Sequence, residues 1–194
     1  MNVKKMAKYS RAEVLELYDN QLNEAITNLK ELKINCEDEK CNVDRVLSGW
    51  IFEHVVRHCL TEELKGLNPE MSEQFTFDYG VSESGKKKSA IIDLAVNKKI
   101  LAEIKVNGHQ YSNWNDMRID EKYANIKKKA NEEGIEYLYI SKKEAPKPKR
   151  ENAHDYRERT RKLIGEENTF FLDEEGSWER FVKRVKDLLN SKNE

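Results

Sequence analysis

Two apolar runs, Ala90-Ile91-Ile92-Asp93-Leu94-Ala95-Val96 and Ile100-Leu101-Ala102-Glu103-Ile104-Lys105-Val106, are separated only by Asn97-Lys98-Lys99. A connector this short closes a hairpin and cannot make a parallel crossover, so the two runs must lie side by side and antiparallel. The segment before them also alternates, with Phe75, Phe77 and Tyr79 on one side and Thr76 and Asp78 on the other. It reads as a strand from Gln74 to about Val81, with Gly80 and Gly85 as turn material. The centre of the chain is therefore committed to a three-strand meander.

The flanks are helical. Ser10 and Glu13 form a capping-box signature, and Leu15, Tyr18, Leu22, Ile26, Leu29 and Leu32 recur at helical spacing to about Lys33. This near-heptad stripe is expected to pack on its own domain rather than form a coiled-coil seam. A polar connector, Asn35 to Asn42, leads to a second helix from about Asp44 to Leu64. Beyond the meander, Asn107-Gly108 stops the third strand, Met117 to Glu133 is a helix ended by Gly134, and Ile135 to Ile140 is a strand, which together make a crossover unit. A basic loop, Lys142 to Arg150, precedes a helix near Ala153 to Ile164, a short strand at Thr169 to Leu172, and a helix from Trp178 to Leu189. That last helix aligns Trp178, Phe181, Val182, Val185, Leu188 and Leu189 on one face. The expectation is one α/β domain over 1–194, a central mixed β-sheet flanked by helices. An N-terminal amphipathic helix and connector occupy 1–42, a core 44–140, and C-terminal helices and a strand 141–194.

Composition excludes several classes. Thirty-five Lys and Arg against 36 Asp and Glu leave a net charge of −1, so bulk positive charge cannot hold nucleic acid and any contact must use local patches. No apolar run approaches the roughly 18 residues of a spanning helix, so no membrane partner is expected. Three cysteines fit a reducing, cytoplasmic setting better than a disulfide framework.

Period two puts Asp93 on the face opposite Ile92, Leu94 and Val96, and puts Glu103 and Lys105 together opposite Ala102, Ile104 and Val106. With a three-residue loop, Val96 pairs with Ile100, and the same register sets Asp93 across from Glu103. Opposed carboxylates repel unless something positive lies between them. Two carboxylates, the Ile104 main-chain carbonyl and waters make the open oxygen-rich site that Mg²⁺ prefers, and Lys105 beside Glu103 can orient or deprotonate a water.

Asp93, nine residues, then Glu103-Ile104-Lys105 resembles the signature of the restriction endonuclease-like, or PD-(D/E)XK, nuclease superfamily. The order helix, three-strand meander, helix, strand from about Asp44 to Ile140 is similar to that family's core, and Ile92 stands where the name-giving proline would be. The resemblance implies Mg²⁺-dependent cleavage of DNA, with Asp93 and Glu103 as metal ligands and Lys105 at the attacking water. Many members also carry a glutamate on the first core helix, a position that Glu53 fits. Its helical neighbours Val46, Gly49, Trp50, Val56, Arg57 and Leu60 form a largely apolar stripe, and pairing with Arg57 is the alternative role.

Lys86, Lys87, Lys88, Lys147, Lys149, Arg150, Arg157 and Arg161 are candidate phosphate contacts, and His109, Tyr111 and Trp114 follow the third strand in a polar loop. A competing metal site is Cys36 and Cys41 with His54 and His58, whose spacing falls in the Cys₂His₂ zinc range. Arg45 stands where that motif expects an aromatic. The expected function is a Mg²⁺-dependent DNA endonuclease of restriction type acting as a homodimer. The alternative is a non-catalytic nucleic-acid-binding protein organised by zinc or retaining a nuclease fold without activity.

Overall fold

The computed structural model describes residues 7–32, 43–107, 116–143 and 156–191. Within them the chain runs α1 (Arg11–Glu31), α2 (Val43–Leu64), β1 (Met71–Val81), β2 (Lys87–Val96), β3 (Ile100–Asn107), α3 (Asp116–Glu132), β4 (Glu136–Lys143), α4 (Tyr156–Ile164), β5 (Thr169–Phe171) and α5 (Ser177–Asn190). The strands form one sheet in chain order, β1-β2-β3-β4-β5. β1, β2 and β3 are antiparallel, while β3, β4 and β5 are parallel, as helical crossovers through α3 and α4 require. The expected mixed sheet flanked by helices is what forms.

Two cores lie on the two faces. On one, α1, α2 and α5 cover Leu94, Val96, Ile100, Ala102, Ile104, Leu138, Ile140 and Phe170. On the other, α3 and α4 cover Ile92, Leu101, Tyr137, Tyr139 and Phe171. The Trp178, Phe181, Val182, Val185 and Leu188 stripe of α5 is buried as the sequence requires. The α1 stripe is buried only at its start. Val14 and Tyr18 are enclosed, with the Tyr18 ring edge-on to Phe52 at 5.4 Å, whereas Leu22, Ile26 and Leu29 are half-buried and Leu32 is exposed.

Local chemistry sets the turns that matter. Asn97 and Lys98 both take φ near +50°, and the Asn97 side-chain oxygen accepts the Glu70 N–H while its own N–H donates to the Glu70 carbonyl, each at 2.7 Å. Asn tolerates the left-handed region, so this clamp holds the three-residue loop and pairs Val96 with Ile100 as expected. Gly134, at φ +69°, ends the α3 segment, and the Ile135 N–H returns to the Ala130 carbonyl at 2.8 Å.

The strict alternation read along the second strand does not hold. Ala90 and Ile92 face the α3 core, but Leu94 and Val96 face the α2 core, so the strand changes face at Asp93. Its neighbour β1 does the same: Met71 packs toward the α2 side and Phe75 and Phe77 toward the α3 side. Between them Gln74 takes φ 50°, and the register skips Gln74 and Asp93 without shifting there, whereas farther along it does shift, between Asp78 and Gly80. Simple period-two counting cannot detect a paired irregularity of this kind, which re-aims side chains without changing the residue count.

Candidate active site

The β2–β3 ladder contains only Val96–Ile100, Ala95–Leu101 and Leu94–Ala102. Both strands continue, but Asp93 and Glu103, the next positions in register, are not ladder partners as the hairpin register anticipates. Asp93 instead turns its carboxylate into the gap. Its Oδ2 accepts the Ile104 backbone N–H at 2.7 Å and the Lys105 ammonium at 2.7 Å. A side chain has replaced the backbone acceptor that a continued ladder would provide. Because N–H and C=O of one residue in an extended strand point to the same side, the Ile104 carbonyl also faces this gap.

Glu103 lies beside it on β3, with only 2% of the residue exposed. Lys105 Nζ stands 3.6 Å from Glu103 Oε2, an ion pair beyond hydrogen-bond length, and that oxygen is buried without a hydrogen-bond partner. Burial drives the Glu103 carboxyl well above the ordinary range against the opposing pull of Lys105, with the Asp93 charge and a side-chain hydrogen bond with Asp93 adding to it. Burial also works against the Lys105 ammonium, but Glu103 and Asp93 outweigh it and hold Lys105 above its usual pKa. In this arrangement Lys105 is held as a cation with N–H groups to spare for a further acceptor.

Glu53 reaches the same cluster from α2. Burial first, then Asp93, pushes its carboxyl up to about 7, with Lys105 and Arg57 partly offsetting them. Arg57 acts on Glu53 through its charge alone, because that guanidinium makes its ion pair with Glu73 at 2.5 Å. Glu53 Oε2 instead meets the Gln74 amide at 3.5 Å. The stripe expected around Glu53 is also split. Val56 and Leu60 are fully buried, but Val46 and Trp50 are exposed, so Glu53 sits at the boundary between core and solvent.

Two participants have no signal in local sequence. Gln74 is brought in by its left-handed backbone, a conformation that persists only where surrounding structure imposes it. Lys122, half-buried on α3, adds a weak stabilising charge to Glu103 from the opposite side of the gap. It also lines a cavity of about 300 Å³ with Tyr79, Lys88, Glu121 and Asn125. A neighbouring cavity of about 450 Å³ shares Tyr79 and Asn125 and continues past Lys87, Lys128 and Lys129.

The remaining candidates disperse. Lys86 and Lys87 are exposed near the β1–β2 turn, Lys87 is 3.2 Å from Asp78, and Lys88 is 3.9 Å from Glu121 on α3. Arg157 and Arg161 are tied into Glu174 at 2.6 and 2.7 Å, and both guanidinium groups lie over the Phe171 ring. They fasten α4 to the segment between β5 and α5. Lys147, Lys149, Arg150, His109, Tyr111 and Trp114 lie outside the described residues. So do Cys36 and Cys41; their supposed partners His54 and His58 are exposed on α2 with rings 6.4 Å apart.

Among the described residues no group of three or more His, Cys, Asp and Glu side chains is gathered tightly enough to cage a metal. Asp93, Glu103 and the Ile104 carbonyl nevertheless fit a hard cation that keeps several waters, and the orphaned, buried Glu103 oxygen is the atom such an ion would satisfy. Also among the described residues, no helix is long and apolar enough to cross a membrane. Comparison of the chain with family models, curated proteins and solved structures finds no match.

Proposed function

We propose that this chain is a metal-dependent nuclease that hydrolyses DNA phosphodiester bonds, built on a restriction endonuclease-like core. The observation that carries this reading is the convergence of Asp93, Glu103, Lys105 and Glu53 where the β2–β3 ladder ends, with one carboxylate oxygen buried and unsatisfied. Structural ion pairs seldom leave such an oxygen bare, because the desolvation cost is not recovered.

Asp93, Glu103 and the Ile104 carbonyl would hold Mg²⁺. When bound, that ion polarises a phosphate oxygen and lowers the pKa of its water. Lys105 is fixed by its bond to Asp93 and donates its remaining N–H groups to the attacking water or a phosphate oxygen. Glu53 closes the gap from α2, and Lys122 stands where the cavities along α3 begin. Lysines 87, 88, 122, 128 and 129 give a DNA strand a path of phosphate contacts, since exposed ion pairs such as Lys88–Glu121 exchange partners at little cost. Double-strand cutting requires two sites. A homodimer would supply them.

The test is digestion of supercoiled plasmid and single-stranded DNA with Mg²⁺, wild type beside Lys105→Ala, with EDTA controls. Cutting that requires both Mg²⁺ and Lys105 is the expected result, and discrete plasmid fragments would assign restriction-type specificity. Cutting unaffected by Lys105→Ala, or absent on both substrates, would overturn the reading.

A further inference from the structure

Trp50 is 66% exposed, on the solvent side of a helix whose other side buries Phe52, Val55, Val56, Cys59 and Leu60 completely. On a helix, residues three apart are neighbours with Cβ atoms about 5–6 Å apart, so Trp50 adjoins Glu53, whose carboxyl feels the charges of Asp93 and Lys105. A tryptophan ring left in water is a large unclaimed apolar surface, and tryptophan is the side chain best suited to stack on a flat partner.

The surroundings select the partner. Val46, one turn back, is the only other large apolar side chain exposed on the described part of α2, while His54 and Arg57 complete the outer face. A two-residue apolar patch is far below the roughly 1,000 Å² of a stable protein interface, but it matches the face of one nucleobase. A phosphate at Asp93 and Glu103 would put the adjoining nucleotide over this part of α2.

We infer that Trp50 is a stacking platform for the base next to the reacting phosphate. Single-stranded or frayed DNA presents such an unpaired base directly, and a duplex offers one only where it opens beside the cut. This rests on the nuclease reading and narrows its substrate class.

The experiment compares wild type, Trp50→Ala and Trp50→Phe in EDTA, titrating a labelled oligo(dT) strand and a blunt duplex of equal length. Tryptophan emission and sedimentation are recorded alongside. Trp50→Ala is expected to weaken oligo(dT) binding about tenfold, within the range that loss of one stacked base produces, while Trp50→Phe retains most affinity and duplex binding is unchanged. Emission quenching by oligo(dT) should fall in Trp50→Phe. Unchanged oligo(dT) affinity in Trp50→Ala, quenching undiminished in Trp50→Phe, or conversion of a dimer to a monomer in place of a binding defect would each overturn the inference. If wild type cuts DNA and Trp50→Ala matches it throughout, only the role of Trp50 falls. If wild type neither binds nor cuts DNA, the nuclease reading falls first and takes this inference with it.

Discussion

Lys105 Nζ donates to Asp93 Oδ2 at 2.7 Å, and the same oxygen accepts the Ile104 backbone N–H at 2.7 Å. One carboxylate thus both anchors the lysine and finishes the edge of β3 where its ladder with β2 has ended. Sequence alone gives Asp93 the character of a repulsive charge facing Glu103, whose removal should raise stability while abolishing cleavage. The geometry reverses the stability half of that expectation.

Asp93→Ala is expected to lose DNA cleavage and to destabilise the protein by about 1–3 kcal/mol. It strips a charge-assisted acceptor from a backbone N–H and leaves Lys105 with Glu103 alone. Urea denaturation checks this, and a variant as stable as wild type or more so would restore the repulsion account.

Lys105→Met is expected to abolish cleavage and to weaken the fold without added cation, because Asp93 and Glu103 then face each other with no positive charge between them. Mg²⁺ should recover part of that loss. Thermal melts with EDTA and with Mg²⁺ test it, and equal melting temperatures for wild type and variant in EDTA would refute it.

The pH dependence follows from Glu53 and Glu103, both held above the ordinary carboxylate pKa in the folded state by burial. The folded protein keeps protons that the unfolded chain has already released. Their contribution to stability is therefore complete below about pH 4.3 and is lost as pH rises toward about 7. Of the two, Glu103 is the proposed ligand and must be ionised to take a cation, so Mg²⁺ should raise the melting temperature strongly at pH 8 and hardly at all at pH 5.5. A Mg²⁺-induced shift independent of pH would remove that carboxylate from the site.

Glu174 binds Arg157 and Arg161, and Arg180 stands 3.5 Å from it. Glu174→Ala is expected to cost about 1–3 kcal/mol of stability, the worth of its charged hydrogen bonds. Arg157→Ala and Arg161→Ala are expected to behave likewise and to leave DNA affinity within about twofold of wild type. A large affinity loss with unchanged stability would return these arginines to the phosphate contacts that sequence suggests.

Much of this architecture is legible locally. The capping box at Ser10 forms with both of its hydrogen bonds, the α5 stripe is buried, and three polar residues between apolar runs close the hairpin in the expected register. Each depends on residues a few positions apart, where helical or strand period decides which side chain faces which way. The pairing of Glu103 with Lys105 on one side of β3 is legible for the same reason, whereas Asp93 joins them only where the alternation and the ladder break.

The sequence by itself determined the order of helices and strands, the mixed sheet they must form and the charged face of the hairpin, because propensity, turn chemistry and periodicity act over short range. Only the tertiary structure decided the rest. It set the face change at Gln74 and Asp93, the end of the ladder that frees Asp93 for Lys105, the approach of Glu53 and Lys122 from helices on opposite faces, and the exposure of Trp50. The physical reason is that these depend on which backbone groups lose their partners and which surfaces remain uncovered once all the layers pack, and no short window of sequence contains that information.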